Sequence, residues 1–148
     1  MTKTHLSRSL IALIVAAAAS VASAESKPDP LIERGRYLVD GVAGCNDCHS
    51  PRNQKGELID GLLLTGSPLP FAPTVQMPWA PAAPSIAGLP NYTTEQAVHF
   101  LMTGERPSGV PPLPPMPSYR LNEEDAKAVV AYVKSLPVAP KPAPAKAE

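Results

Sequence analysis

The sequence predicts an all-α domain of about three main helices joined by long proline-rich loops. Apolar residues recur at helical spacing in three separate stretches, each preceded by a residue that starts helices well. The chain also carries 20 prolines and nine glycines in 148 residues, and most of the prolines fall between those stretches. Aromatic residues make up only 5%. The side-chain core is therefore thin for the length, and something besides side chains must supply part of it.

Lys3 and Arg8 give a basic start, Leu10 to Ala19 an apolar run, and Ala22, Ser23 and Ala24 a small-x-small pattern. Residues 1–24 read as an export signal cleaved before Glu25, which places the mature protein in the periplasm. A retained anchor is the alternative, but a spanning helix needs roughly 20 apolar residues. No stable membrane insertion is expected once the signal is removed. Residues 25–137 are the size of one domain, and residues 138–148 form a Pro, Ala and Lys tail that buries too little apolar surface to order itself. Charge is nearly balanced, with 13 basic and 13 acidic residues. There is no basic block, so nucleic acid is excluded as a partner.

The first helix begins at Pro30, capped by Asp29, and runs through about Asp40. Leu31, Ile32, Leu38 and Val39 form its apolar side, and Glu33, Arg34 and Arg36 face water. Gly35 interrupts it at a cost of roughly 0.5 to 1 kcal/mol relative to alanine, so a close backbone approach by another helix is expected there. The last helix is the expected neighbour, with Tyr132 or Val129 filling the space. Gly41 to Gly44 form a turn. From Ser50 to Pro90 no period is sustained, and a loop of that length in a compact domain implies that it wraps something. The second helix is capped by Thr93 with Gln96 three residues on, buries Ala97, Phe100 and Leu101, and stops at Gly104. After another proline-dense loop, the third starts at Asn122 with Glu123, Glu124 and Asp125 in its first turn. It runs to about Leu136 and buries Ala126, Val129, Val130, Val133 and Leu136.

Two cysteines in an exported chain would ordinarily suggest a disulfide. Here Cys45, Asn46, Asp47, Cys48 and His49 spell C-x-x-C-H, the attachment signature of c-type haem. One turn of chain sets two thiols where they can alkylate the two vinyl groups, and the adjacent imidazole reaches the iron from the same side. Three other readings are weaker. A thioredoxin-like pair belongs in a β-α-β context that is absent from the pattern. A zinc site lacks ligands beyond His99. A Cys45 to Cys48 disulfide in a redox-inert binding module leaves His49 and the prolines unexplained.

From about Leu31 to Pro137 the chain resembles the single-haem class I cytochrome c family. The likeness rests on Gly35 in a first helix, the C-x-x-C-H run, the segment Pro84-Ser85-Ile86-Ala87-Gly88, and Met116-Pro117-Ser118-Tyr119 ahead of Asn122. It implies a cytochrome c-like fold wrapped around one haem c, attached through Cys45 and Cys48. The run Arg34 to Val39 is similar to cytochromes that accompany exported bacterial dehydrogenases. The stretch from Gly56 to Ala83 is an insert relative to the shortest members, and which side of the haem it covers stays open.

His49 is the proximal ligand by its place in the motif, and the resemblance implies that its ring donates to the carbonyl of Pro84. Met77, Met102, Met116 and His99 compete for the sixth position. A methionine taken alone is more often a gap-filling core residue. Met102 and His99 lie on the second helix, where packing and solvent account for them. Met116 is preferred to Met77 because Pro114, Pro115 and Pro117 restrict its backbone and because it precedes the final helix by the family's short interval. Trp79, Tyr119 and Arg120 are candidates for the haem propionates, with packing as the plainer account.

With both axial positions filled, no site remains for substrate, so the expectation is a one-electron carrier and not an enzyme. It would act as a soluble shuttle or as the cytochrome subunit of a dehydrogenase, delivering to an oxidase or another cytochrome. The alternative is a haem enzyme or gas-binding sensor with an open or labile sixth position.

Overall fold

The computed structural model describes residues 27–138. The export signal at residues 1–24 and nearly all of the tail at 138–148 lie outside the described residues.

Helix α1 spans Pro30–Tyr37. Asp29 caps it by accepting the Leu31 N–H at 2.8 Å, and Pro30 occupies a first-turn position where no N–H is needed. The expected end near Asp40 is corrected. The chain continues as a π-helical turn over Leu38–Val42, closed by Ala43 N–H donating to Leu38 O at 2.7 Å. The wider turn places both Leu38 and Val39 in the core. It also absorbs much of the turn expected between Gly41 and Gly44, so that only Gly44, at φ 62°, makes the reversal into α2. Helix α2 is Cys45–His49, a single extra turn beyond the three helices expected.

The path from Ser50 to Pro90 holds a two-residue antiparallel pair, β1 Ser67–Pro68 with β2 Ala82–Ala83, and an isolated antiparallel bridge between Arg52 and Leu58. Its order comes from long-range bonds. Leu64 N–H donates to Ser50 Oγ at 2.7 Å, while Leu64 O accepts from Ile86 N–H at 2.9 Å and Ala87 N–H at 3.0 Å. Leu64 sits at φ 57°, in the left-handed region, and is fully buried.

Helix α3, Thr94–Thr103, has the expected capping box between Thr93 and Gln96 and ends on Gly104 at φ 79°. Helix α4, Glu123–Ser135, is capped by Asn122, which accepts the Asp125 N–H at 2.8 Å. Its buried surface is wider than the expected stripe, because Ala128 and Tyr132 are buried as well, while Leu136 is only partly buried. Two neighbours explain this: α1 covers one side of α4 and α3 packs on it as well. At the crossing, a Cβ on Gly35 would collide with the Ala128 carbonyl oxygen and lie 2.8 Å from Tyr132 Cβ. Tyr132 is one of the two fillers expected; the other is the Ala128 backbone and not Val129. Arg34 Nε pairs with Asp125 at 2.9 Å at this crossing, and Lys134 Nζ donates to Thr94 Oγ1 at 2.9 Å, tying α4 to α3.

Candidate functional site

Helix α2 is held from both ends. Asn46, buried within the x-x pair of the motif, donates to Asp40 at 2.7 Å and accepts from Ser50 Oγ at 2.5 Å. Ser50 in turn holds Leu64, and Gly66 N–H donates to His49 O at 2.7 Å. This chain of bonds fixes the orientation of the turn that carries Cys45, Cys48 and His49.

Those three residues line a cavity of about 620 Å³, within the range of cofactor sites. Met116 and Pro84 line the same cavity, so all five residues singled out in the sequence meet at one place. The remaining walls come from α3 (Ala97, Phe100, Leu101), α4 (Val129, Val130, Val133) and the insert (Leu69, Ala80, Ala82, Ala83). Pro84, Pro90, Pro112, Pro115 and Pro117 are also in the wall. Proline has no N–H, so walls rich in it present few donors that an apolar occupant would leave unpaired.

The other candidates separate cleanly. Met77 is 42% exposed, and neither it nor Met102 is among the residues lining the cavity. His99 is largely exposed, with Nε2 3.6 Å from Glu105. Tyr119 lines the cavity and donates its hydroxyl to Ala43 O at 2.7 Å; Trp79 and Arg120 do not line it. Trp79 packs edge-on against Phe71 with ring centroids 6.1 Å apart, and its buried Nε1 has no partner among the described residues.

The insert's position is now defined. Ala80 N–H donates to Pro114 O at 2.8 Å, two residues from Met116, so the insert is stitched to the methionine loop. Arg106, which sequence reasoning passed over, lines the cavity beside that loop. Its Nε donates to Val110 O at 2.7 Å and Nη2 to Pro111 O at 2.8 Å, closing the turn that leads to Met116. The only sequence signal was an arginine ahead of Pro107, Ser108 and Gly109, which marks a turn but not its clamp.

The electrostatics suit a ligand imidazole. His49 Nδ1 lies 2.8 Å from Pro84 O, so Nδ1 carries the proton and Nε2 is the free nitrogen. Burial lowers the His49 pKa, with the Pro84 hydrogen bond opposing, and the neutral ring is the form that binds iron. Burial likewise pushes the Cys45 thiol up to about 11 and the Tyr119 hydroxyl up to about 12. Two thiols, a neutral imidazole and a thioether around an apolar, proline-walled cavity fit a covalently attached haem.

The model of the family described as Cytochrome c matches residues 32–137. The chain belongs to the cytochrome c family. Membership implies haem c held covalently, and Cys45 and Cys48 stand in the C-x-x-C-H spacing. The chain is 30% identical over 113 residues to a diheme cytochrome c-type protein of Cereibacter sphaeroides, covering 73% of this chain and 36% of that one. It is 26% identical over 130 residues to the cytochrome c subunit of alcohol dehydrogenase (quinone) from Gluconobacter oxydans, covering 78% and 26%. With the gluconate 2-dehydrogenase cytochrome c subunit of Pantoea cypripedii it shares 28% over 125 residues, 75% and 27%. The chain thus spans about a quarter to a third of the length of these curated relatives. Among the described residues, no helix is long and apolar enough to cross a membrane.

Proposed function

We propose that this cytochrome c is a periplasmic one-electron carrier holding a single haem c between His49 and Met116. The observation that carries the reading is that His49, with Nε2 free, and the proline-bracketed Met116 line one cavity together with both cysteines. The two cysteines of the sequence, both within one C-x-x-C-H run, support a single haem. When bound, the haem supplies an iron that takes up and releases one electron. The protein's part is to hold that centre still: Cys45 and Cys48 tether it, Pro84 orients the His49 ring, and Arg106 with the insert steadies the Met116 loop. Methionine is a weak donor that favours the reduced state, which raises the potential relative to two histidines. The names of the dehydrogenase-subunit relatives support a dehydrogenase as electron donor, with the chain as its subunit or as a free shuttle. The acceptor is then an oxidase or another cytochrome.

Optical spectra of the holoprotein, oxidised and reduced, test the ligation. The far-red sulfur-to-iron band is expected in the native protein and absent in Met116→Ala, whose reduction potential falls. A band that survives in Met116→Ala moves the assignment away from Met116. Rapid carbon monoxide uptake by the native ferrous protein at neutral pH would instead establish a haem enzyme or gas sensor with a labile sixth position. Fractionating the cell envelope for the enzyme that reduces the holoprotein then isolates the donor.

A further inference from the structure

The insert and the methionine loop share a property absent from the rest of the domain. Between Asp60 and Glu95 there is no Asp, Glu, Lys, Arg or His, and there is none between Arg106 and Arg120. These two segments form one continuous rim, joined by the Ala80 to Pro114 hydrogen bond, and both contribute walls to the haem cavity. Large apolar side chains project from the same rim: Phe71 is 48% exposed, Val75 66%, Met77 42%, Val110 58% and Leu113 50%. Leu113 also lines the cavity, so the exposed apolar surface reaches the site at this residue. Ionic groups lie elsewhere: Glu33, Arg34 and Arg36 on α1, Glu123 and Lys127 on α4, Asp47 on α2 paired with Arg52, and Glu105 beside His99. Of these neighbours of the rim, Asp47 lines the cavity, as does Arg106.

We propose that this charge-free rim is the docking face for the protein that exchanges electrons with the haem, and that the partner's matching face is apolar and uncharged. The proposal rests on the carrier reading above. Contiguous exposed apolar surface marks interaction sites. Its place at the cavity mouth brings a docked partner against the cofactor. Charge complementarity selects the partner's chemistry: an ionic group pressed against this rim would lose water and gain no counter-charge. A lipid surface is a poor match, because the rim has no amphipathic helix and no cations for anionic headgroups. The prolines hold the rim in its binding shape, which reduces the ordering cost of association.

The test is the second-order rate at which the dehydrogenase isolated by its reduction of the holoprotein transfers electrons to it. Ionic strength is raised from about 0.01 to 1 M, over which the screening length falls from about 30 to about 3 Å. The expected rate changes by less than about twofold, where charge-steered pairs fall steeply. Val75→Glu and Met77→Glu, neither of which lines the cavity, should each slow transfer by at least about fivefold while the optical spectrum and reduction potential stay native. Glu123→Gln on α4 should leave the rate unchanged. A rate that collapses with salt, or Val75→Glu and Met77→Glu rates equal to native, overturns the proposal. So does a concentration-dependent dimer that Val75→Glu abolishes, or rim-dependent binding to vesicles of phosphatidylcholine and phosphatidylglycerol. Each of these leaves the carrier reading standing, whereas a native holoprotein that no envelope enzyme reduces removes that reading itself.

Discussion

The helical half of this cytochrome and its proline-rich half are built on opposite terms. In α1, α3 and α4 the backbone satisfies its own hydrogen bonds, and the side chains are left to pack helix on helix around Leu38, Val39, Val129 and Val133. In the insert and the methionine loop, prolines remove donors, and beside local turn bonds several of the bonds that remain reach across long sequence distances, such as Gly66 to His49 and Ala80 to Pro114. The first half buries protein against protein and gives the cavity a wall from α3 and α4. The second supplies further walls, and from residue 61 to 94 and from 107 to 119 it carries no ionic group. The contrast teaches that a thin apolar core is sufficient when the haem completes it.

The sharpest way to break this comparison is to remove the tether. In Cys45→Ser/Cys48→Ser, no haem should remain after denaturation. Amide exchange at Leu64, Gly66, Ile86 and Ala87 should accelerate by at least about tenfold, while Val129 to Val133 remain the best protected. Equal loss of protection in α4 would show that the halves are not independent. Next in size is Gly35→Ala, which puts a Cβ into the Ala128 carbonyl. Because a backbone blocks it, the cost should lie near the upper end of overpacking effects, about 3 kcal/mol in denaturant unfolding of the holoprotein. The haem spectrum should stay native until unfolding.

Arg106→Met acts on the other half. It removes two hydrogen bonds to loop carbonyls, worth about 1 kcal/mol each. The far-red band should disappear at a lower temperature than in the native protein, with the helical circular dichroism transition nearly unmoved. Coincident shifts of both signals would mean that the loop and helices melt as one unit. The smallest effect is expected for Asp125→Asn. The Arg34 hydrogen bond, reinforced by its charge, holds the Asp125 carboxyl below its usual range. Its contribution is therefore present above the unfolded value of about 3.9 and is lost as pH falls through the lower folded value. The variant should shift the urea midpoint only slightly at neutral pH, and less still in strong acid.

Much of this molecule was written locally. Asp29, Thr93 with Gln96, and Asn122 marked the three helix starts, Gly104 marked a stop, and C-x-x-C-H named the cofactor, because caps and attachment motifs act within a few residues of chain. Met116 was separated from Met77 by its flanking prolines, and the structure places Met116 on the cavity wall and Met77 on the exposed rim. The tertiary structure alone decided the rest: the π-helical turn at Leu38–Val42, the left-handed Leu64 held by Ser50, Ile86 and Ala87, the Arg106 clamp, the Ala128 carbonyl under Gly35, and the side of the cavity on which the insert lies. Each of these depends on a hydrogen bond or a close contact whose partner is distant in the sequence or set by the path of the chain. For the distant partners no local pattern exists, because their energy appears only once the two segments have been brought together. The π-helical turn and the Arg106 clamp close over a few residues, but on backbone carbonyls that any sequence supplies.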